Sequence, residues 1–118
     1  MGQTNTLGSS YHNLGINYEE LNLMDSALLY LEKARKIREE HNDLRGLTKT
    51  YNSMGTVYNK LNMPDSAEYY ARKAVSLDEE MGDQVALAWD QASLADILFI
   101  RGKYQESTSL AKTALSNT

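Results

Sequence analysis

The chain has 118 residues, 42% of them hydrophobic, and a net charge of −4. This length suits one domain with a modest core, and the negative charge argues against non-specific binding to nucleic acid or anionic membranes. The absence of cysteine excludes disulfides and zinc–cysteine sites. No apolar run could cross a bilayer and no signal peptide is recognisable. We therefore expect a soluble protein, the cytoplasmic or periplasmic portion of a larger one, with no direct membrane contact.

Helical periodicity begins near the start of the chain. Apolar and aromatic residues recur there every three to four positions, which predicts a helix over 4–21. The second helix is predicted over 25–41, with Ala27, Leu31 and Ala34 on its inner side. The same alternation predicts four further helices, over 44–61, 65–81, 84–101 and 104–117. Because the connections between helices are short, neighbouring helices must run antiparallel.

The predicted helix ends carry residues that favour turns. Asparagine and glycine tolerate the left-handed conformation that closes a helix, and aspartate can cap the helix that follows. Proline suits the first turn of a helix. These residues are Asn22, Asn42, Asn62, Gly82 and Gly102 at the stops, Asp43 and Asp83 as caps, and Pro64 at a start.

The pattern repeats every forty residues. Tyr11, Leu14-Gly15 and Tyr18 return as Tyr51, Met54-Gly55 and Tyr58, and the aspartate–serine–alanine triplet at 25–27 returns at 65–67. Small residues between large rings allow two helices to approach closely. A bulky residue at Gly55 or Ala67 should therefore overpack that contact, at a cost of about 1–3 kcal/mol.

These residues resemble the tetratricopeptide repeat, in which a large residue, Leu-Gly and Tyr lie on the first helix and two alanines on the second. The resemblance implies an all-α, right-handed superhelical solenoid of three antiparallel helix pairs. We expect one domain over 1–118, with repeats at about 4–43, 44–83 and 84–118, as a fragment of a longer protein. The forty-residue period exceeds the usual ~34. This longer type is similar to the repeat arrays of kinesin light chains and of bacterial sensor histidine kinases and transcriptional regulators.

The third copy departs from the pattern. Gln91 stands in place of the first tyrosine, Ala95 in place of the glycine and Ser107 in place of the first alanine. Leu110 and Leu115 remain apolar where a soluble end would be polar. Either another helix follows in the parent protein, or this end contacts a second molecule.

The resemblance implies that the first helix of each pair lines a concave groove that binds protein or peptide. The asparagines suit hydrogen bonding to a peptide backbone but equally suit simple hydration. Trp89, Phe99 and Ile100 form the predicted aromatic and apolar part, which is either a contact surface or a packing surface for a missing helix. The candidate binding residues are His12, Asn13, Ile16, Glu19, Lys49, Asn52, Thr56, Asn59, Trp89, Asp96, Phe99 and Ile100.

Catalysis has little support in the sequence. His12 and His41 lack a second histidine at metal-ligand spacing, and we interpret both as solvated. The acidic runs at 39–40 and 78–80 are interpreted as solvated faces, because adjacent acids on a helix diverge. No phosphate-binding loop or nucleophile motif occurs. We therefore predict no enzyme activity, no cofactor and no metal.

The expected function is a non-catalytic scaffold for a protein or peptide partner, within a bacterial signalling or regulatory protein. Nucleic acid is not expected as a partner. The alternative is a structural module that self-associates, as a homo-oligomer, through its apolar third repeat.

Overall fold

The computed structural model describes residues 2–116, and for residues 2–5 the backbone alone. Over this part the chain is all-α and has no strand. The six predicted helices are confirmed with ends shifted by at most two residues, except that the predicted end at 117 lies outside the described residues. They are α1 (Gly2–Glu20), α2 (Met24–Glu40), α3 (Leu44–Lys60), α4 (Pro64–Met81), α5 (Gln84–Ile100) and α6 (Tyr104–Ser116).

The predicted turn residues end and begin these helices. The side chain of Asp43 accepts a hydrogen bond from the backbone N–H of Gly46, and that of Asp83 accepts one from Ala86, each at 3.1 Å. Pro64 occupies the first turn of α4. The five predicted left-handed residues all have positive φ, at 62° for Asn22, 55° for Asn42, 59° for Asn62, 70° for Gly82 and 80° for Gly102.

The helices pack as three antiparallel pairs in a row. The contacts are α1 with α2, α3 with α4 and α5 with α6, while α2 packs on α3 and α4 on α5. In addition the backbone of α1 approaches that of α3 and the backbone of α3 that of α5, whereas within the described residues the backbones of α2 and α4 are not in contact. The first helices therefore form one continuous inner row, and the second helices stand apart on the other side.

Small residues let each pair close. A Cβ atom at Gly15 would lie 2.7 Å from Cγ of Leu31, and one at Gly55 would lie 3.2 Å from the carbonyl oxygen of Ala67. Parallel tyrosine rings fill the sides of the contact. Their centroids are 5.5 Å apart both for Tyr18 with Tyr30 and for Tyr58 with Tyr70.

The glycine of the first pair is the less tolerant of the two. We expect Gly15→Ala to lower the free energy of unfolding by about 1 kcal/mol, because overpacking against Leu31 exceeds the gain in helix propensity. Gly55→Ala serves as the matched control, and its loss should be smaller because its nearest contact is longer. Urea unfolding of both variants measures the difference. Equal losses would show that Leu31 moves away without cost.

The third helix pair has serine, Ser107, at the position where the first two pairs have Ala27 and Ala67. Ser107 is buried, and its Oγ donates a 2.7 Å hydrogen bond to the carbonyl oxygen of Ala95. Ion pairs also connect the third helix pair to the second. Glu68 on α4 accepts hydrogen bonds from Arg101 at 2.8 Å and from Lys103 at 3.0 Å. Burial opposes ionisation, but hydrogen bonds from Arg72 and Lys103 hold the pKa of Glu68 at about 2.

Candidate interaction face and its two repeat boundaries

The inner row of α1, α3 and α5 carries the predicted binding residues. Its architecture divides it into two grooves, one between α1 and α3 and one between α3 and α5. Each groove lies over a boundary between repeats, so a side chain there can either face outward or help to dock the neighbouring repeat.

In the first groove two of the predicted residues, His12 and Glu19, are engaged in docking. His12 Nδ1 lies 3.3 Å from Thr50 Oγ1, and the carboxylate of Glu19 pairs with Lys60 at 2.8 Å. Burial, together with the charges of Arg38 and Lys49, lowers the pKa of His12 to about 4. The interpretation of His12 as a solvated residue was therefore wrong, because the second repeat covers it.

Beneath this groove Arg38 joins the first two repeats. It is buried, and its Nη1 donates to the carbonyl oxygen of Gly46 at 2.9 Å and to Thr50 Oγ1 at 2.8 Å. A Cβ atom at Gly8 would lie 3.3 Å from its Nε, and one at Gly46 would lie 2.7 Å from it. Two glycines thus leave the space that this side chain fills.

Beneath the second groove the equivalent positions are acidic. Asp78 is 0% exposed, and Asp90 on α5 is also buried. Thr48 Oγ1 lies 2.8 Å from Asp78 Oδ1, 3.2 Å from Asp90 Oδ2 and 3.1 Å from the carbonyl oxygen of Ala74. Asn52 Nδ2 donates to Asp90 Oδ1 at 2.7 Å. The interpretation of the 78–80 run as a solvated face was wrong for Asp78, although Glu79 and Glu80 are exposed.

This acidic pair holds a proton at neutral pH. Burial and the neighbouring Asp78 raise the pKa of Asp90 to about 8. A threonine hydroxyl carries a single proton and cannot donate to three acceptors at once, and Asp78 Oδ2 is buried without a hydrogen-bond partner in the described structure. A protonated Asp90 supplies the additional donor that this cluster requires.

Above the acidic pair, the structure brings four predicted residues to one cavity of about 150 Å³. The apolar side chains of Ala71 and Ile97 also line it. Three polar lining residues, Asn59, Ser93 and Asp96, form no side-chain hydrogen bond or ion pair within the part of the chain that the structure describes. The full polar lining of this cavity consists of Asn52, Thr56, Asn59, Ser93 and Asp96.

A second cavity, of about 330 Å³, follows along the same groove. It lies between the ends of α3 and α5 and is lined by Asn59, Asn62, Pro64, Ile100 and Arg101. Asn59 thus belongs to both cavities and links them, while Ile100 adds an apolar wall at the far end.

The predicted aromatic residues do not form one cluster. Trp89 is 73% exposed near the start of α5, whereas Phe99 is 61% exposed near its end. Ten residues of helix separate them by about 15 Å. Phe99 instead packs edge-on against Tyr104 of α6, with centroids 5.1 Å apart. Of the other predicted residues, Asn13 and Lys49 are exposed and Ile16 is half-buried.

Sequence reasoning missed the buried polar residues of both boundaries. A signal was present, because the spacing of Ala27, Leu31 and Ala34 continues to Arg38, and that of Ala67, Ala71 and Ala74 continues to Asp78. A charged residue that extends an apolar stripe is a candidate for burial with partners. The described residues contain no group of three potential metal ligands, and none of the described helices is long and apolar enough to cross a membrane.

Comparison with known families decides the assignment. The tetratricopeptide repeat matches residues 7–43 and again residues 48–81, which together make up more than half of the chain. The chain belongs to the tetratricopeptide repeat family. Such repeats generally mediate protein–protein interaction, and the family is a non-catalytic scaffold type. None of the curated proteins with which the sequence was compared matches it.

Solved structures agree with the tetratricopeptide fold. The chain is similar to BtubC (BKLC) from P. vanneervenii, with a TM-score of 0.86 at 17% identity. The matched region spans 93% of this chain but only 46% of BtubC. The N-terminal domain of stress-induced protein-1 (STI-1) from C. elegans gives a TM-score of 0.79 at 16% identity, covering 97% of this chain and 85% of that domain. At these identities the likeness concerns the fold alone.

Proposed function

We propose that this tetratricopeptide domain is a non-catalytic scaffold that binds a protein or peptide along the inner row of α1, α3 and α5, as part of a bacterial signalling or regulatory protein. The observation that carries the proposal is the groove between α3 and α5. This groove is lined in part by polar side chains that form no hydrogen bond within the described residues. Two cavities follow one another along it. The forty-residue period supports the regulatory setting, because it resembles the repeat arrays of bacterial regulators.

The first groove contributes less to this function. His12 and Glu19 are committed to contacts between repeats, so their replacement would change stability as well as binding. Asn52 is committed in the same way through Asp90. Asn59 and Trp89 are the better probes of binding, since neither makes a side-chain hydrogen bond within the described residues.

We expect Asn59→Ala and Trp89→Ala each to weaken partner binding about tenfold or more without changing the unfolding midpoint. The immobilised domain would first capture a partner, and its affinity for each variant would then be measured by calorimetry. Leu29→Ala is the matched control, because Leu29 is 53% exposed on α2, outside the inner row. If both inner-row variants bind normally and Leu29→Ala does not, the site lies on the outer side.

The alternative function is self-association through the third repeat. The observation that favours it is the exposed apolar surface of that repeat, where Ile100 is 65% and Tyr104 59% exposed. Sedimentation over a wide concentration range distinguishes the two functions. A monomer at the highest concentration argues against self-association, and a concentration-dependent dimer supports it.

A further inference from the structure

The cavity between α3 and α5 has an unusual balance of hydrogen-bonding groups. Asn52 uses one of its two amide N–H groups to donate to Asp90, which orients the amide and leaves its side-chain carbonyl oxygen available as an acceptor. The hydroxyl of Thr56 donates to the backbone carbonyl oxygen of Asn52 and likewise keeps acceptor capacity. Asp96 adds a carboxylate, which can only accept. Asn59 and Ser93 can both donate and accept, so all five polar lining residues offer an acceptor and the carboxylate is the one charged group among them.

The charge of the cavity is equally one-sided. Asp96 is exposed at its edge and forms no ion pair within the described structure. No basic side chain is among the lining residues. A cationic group entering this cavity would meet a carboxylate without displacing an existing partner, which is the arrangement that favours a charge-assisted hydrogen bond.

The size and the floor of the cavity restrict the ligand further. A cavity of 150 Å³ holds a group as large as benzene, and the volume here is about 150 Å³. Buried Ala71 and Ile97 form an apolar floor, against which an aliphatic stem can pack. Scattered acceptors around a single carboxylate suit the three donors of an ammonium group better than the planar fork of arginine.

We propose that this cavity receives a lysine side chain of the bound peptide, with the stem on Ala71 and Ile97 and the ammonium group at Asp96 and the oxygen of Asn52. The inference rests on the proposed function and names the chemistry of the partner at that site. The partner is accordingly a peptide segment with an exposed lysine, and the net charge of −4 favours its approach.

Titration of the whole ¹⁵N-labelled chain with the peptide Gly-Gly-Ser-Lys-Ser-Gly-Gly, followed by NMR, tests the proposal. We expect shifts at the side-chain amides of Asn52 and Asn59 and at the backbone of Ser93 and Asp96. The same peptide with norleucine in place of lysine keeps the stem but lacks the charge, and it should bind about tenfold more weakly.

Asp96→Asn should weaken binding of the lysine peptide by a similar factor. Glu79→Gln is the matched control, because it removes one exposed negative charge from α4 outside the cavity, and it should bind normally. Equal binding of the lysine and norleucine peptides, or equal effects of the two variants, would overturn the proposal. The proposed function would survive that result if Asn59→Ala and Trp89→Ala still lose the captured partner; if they do not, both fail.

Discussion

Replacement of Arg38 by alanine is expected to lower the free energy of unfolding by about 2–4 kcal/mol. The guanidinium group donates to Gly46 and Thr50 at 2.9 and 2.8 Å, and both acceptors would lose this charged donor. The aliphatic stem also fills the space beside Gly8 and Gly46, so the variant loses packing as well as hydrogen bonds. Urea unfolding followed by circular dichroism measures the change.

Two further variants separate these contributions. Arg38→Met keeps the stem without the donors and should lose less than Arg38→Ala. Lys36→Ala removes an exposed side chain from the same helix and should stay within about 0.5 kcal/mol of the original chain. An Arg38→Ala variant as stable as Lys36→Ala would mean that the arginine does not join the first two repeats.

Raising the pH from 6.5 to 8 is expected to destabilise the domain by about 1 kcal/mol. Asp90 has a pKa raised from 3.8 to about 8 by burial and by Asp78. Its protonated form stabilises the fold fully below pH 3.8, and this contribution is lost as the pH rises to 8. His12 acts in the opposite sense, because burial lowers its pKa from 6.5 to about 4, so the fold gains stability as the pH rises to 6.5.

The two effects cancel between about pH 4 and 6.5, which leaves the loss above pH 6.5 visible. Glu68, whose pKa falls from 4.5 to about 2, changes stability only below about pH 5, so the profiles are compared above pH 5. Asp90→Asn is the decisive variant, because an amide mimics the protonated carboxyl in shape and hydrogen bonding. Its urea-unfolding free energy should not fall between pH 6.5 and 8. If the variant declines as the original chain does, another group causes the loss.

His12→Gln provides the complementary measurement. Without the histidine, the decline caused by Asp90 should extend over the interval from about pH 5 to 8. A profile that is still flat between pH 5 and 6.5 in this variant would contradict the assignment of the compensating group to His12.

The sequence was sufficient for the helices, the turns and the contacts within each pair. These depend on neighbours close in the chain or on the small residues at Gly15 and Gly55, and the forty-residue repeat displays each signal more than once. The turn at Asn42 could be predicted because asparagine tolerates the left-handed conformation, whatever the tertiary structure.

The boundaries between repeats could not be predicted in the same way. Whether Asp78 is solvated or buried depends on Thr48 and Asp90, which are distant in sequence and meet only when the third repeat docks. The binding residues share this difficulty. Asn52 and Asn59 occupy equivalent faces of α3, yet Asp90 engages the first and leaves the second available.

The unlike charges at the two boundaries also determine which repeats can be neighbours. At the first boundary Arg38 fits beside Gly46, but the equivalent of Gly46 on α5 is Ala86. If α2 packed on α5 during folding, skipping the second repeat, Arg38 would collide with that added methyl group. Repeat proteins are prone to such misassembly, and the divergence of equivalent positions here penalises it. The buried polar residues at the boundaries therefore determine the order of the repeats, whereas the residues that all repeats share determine only the shape of each repeat.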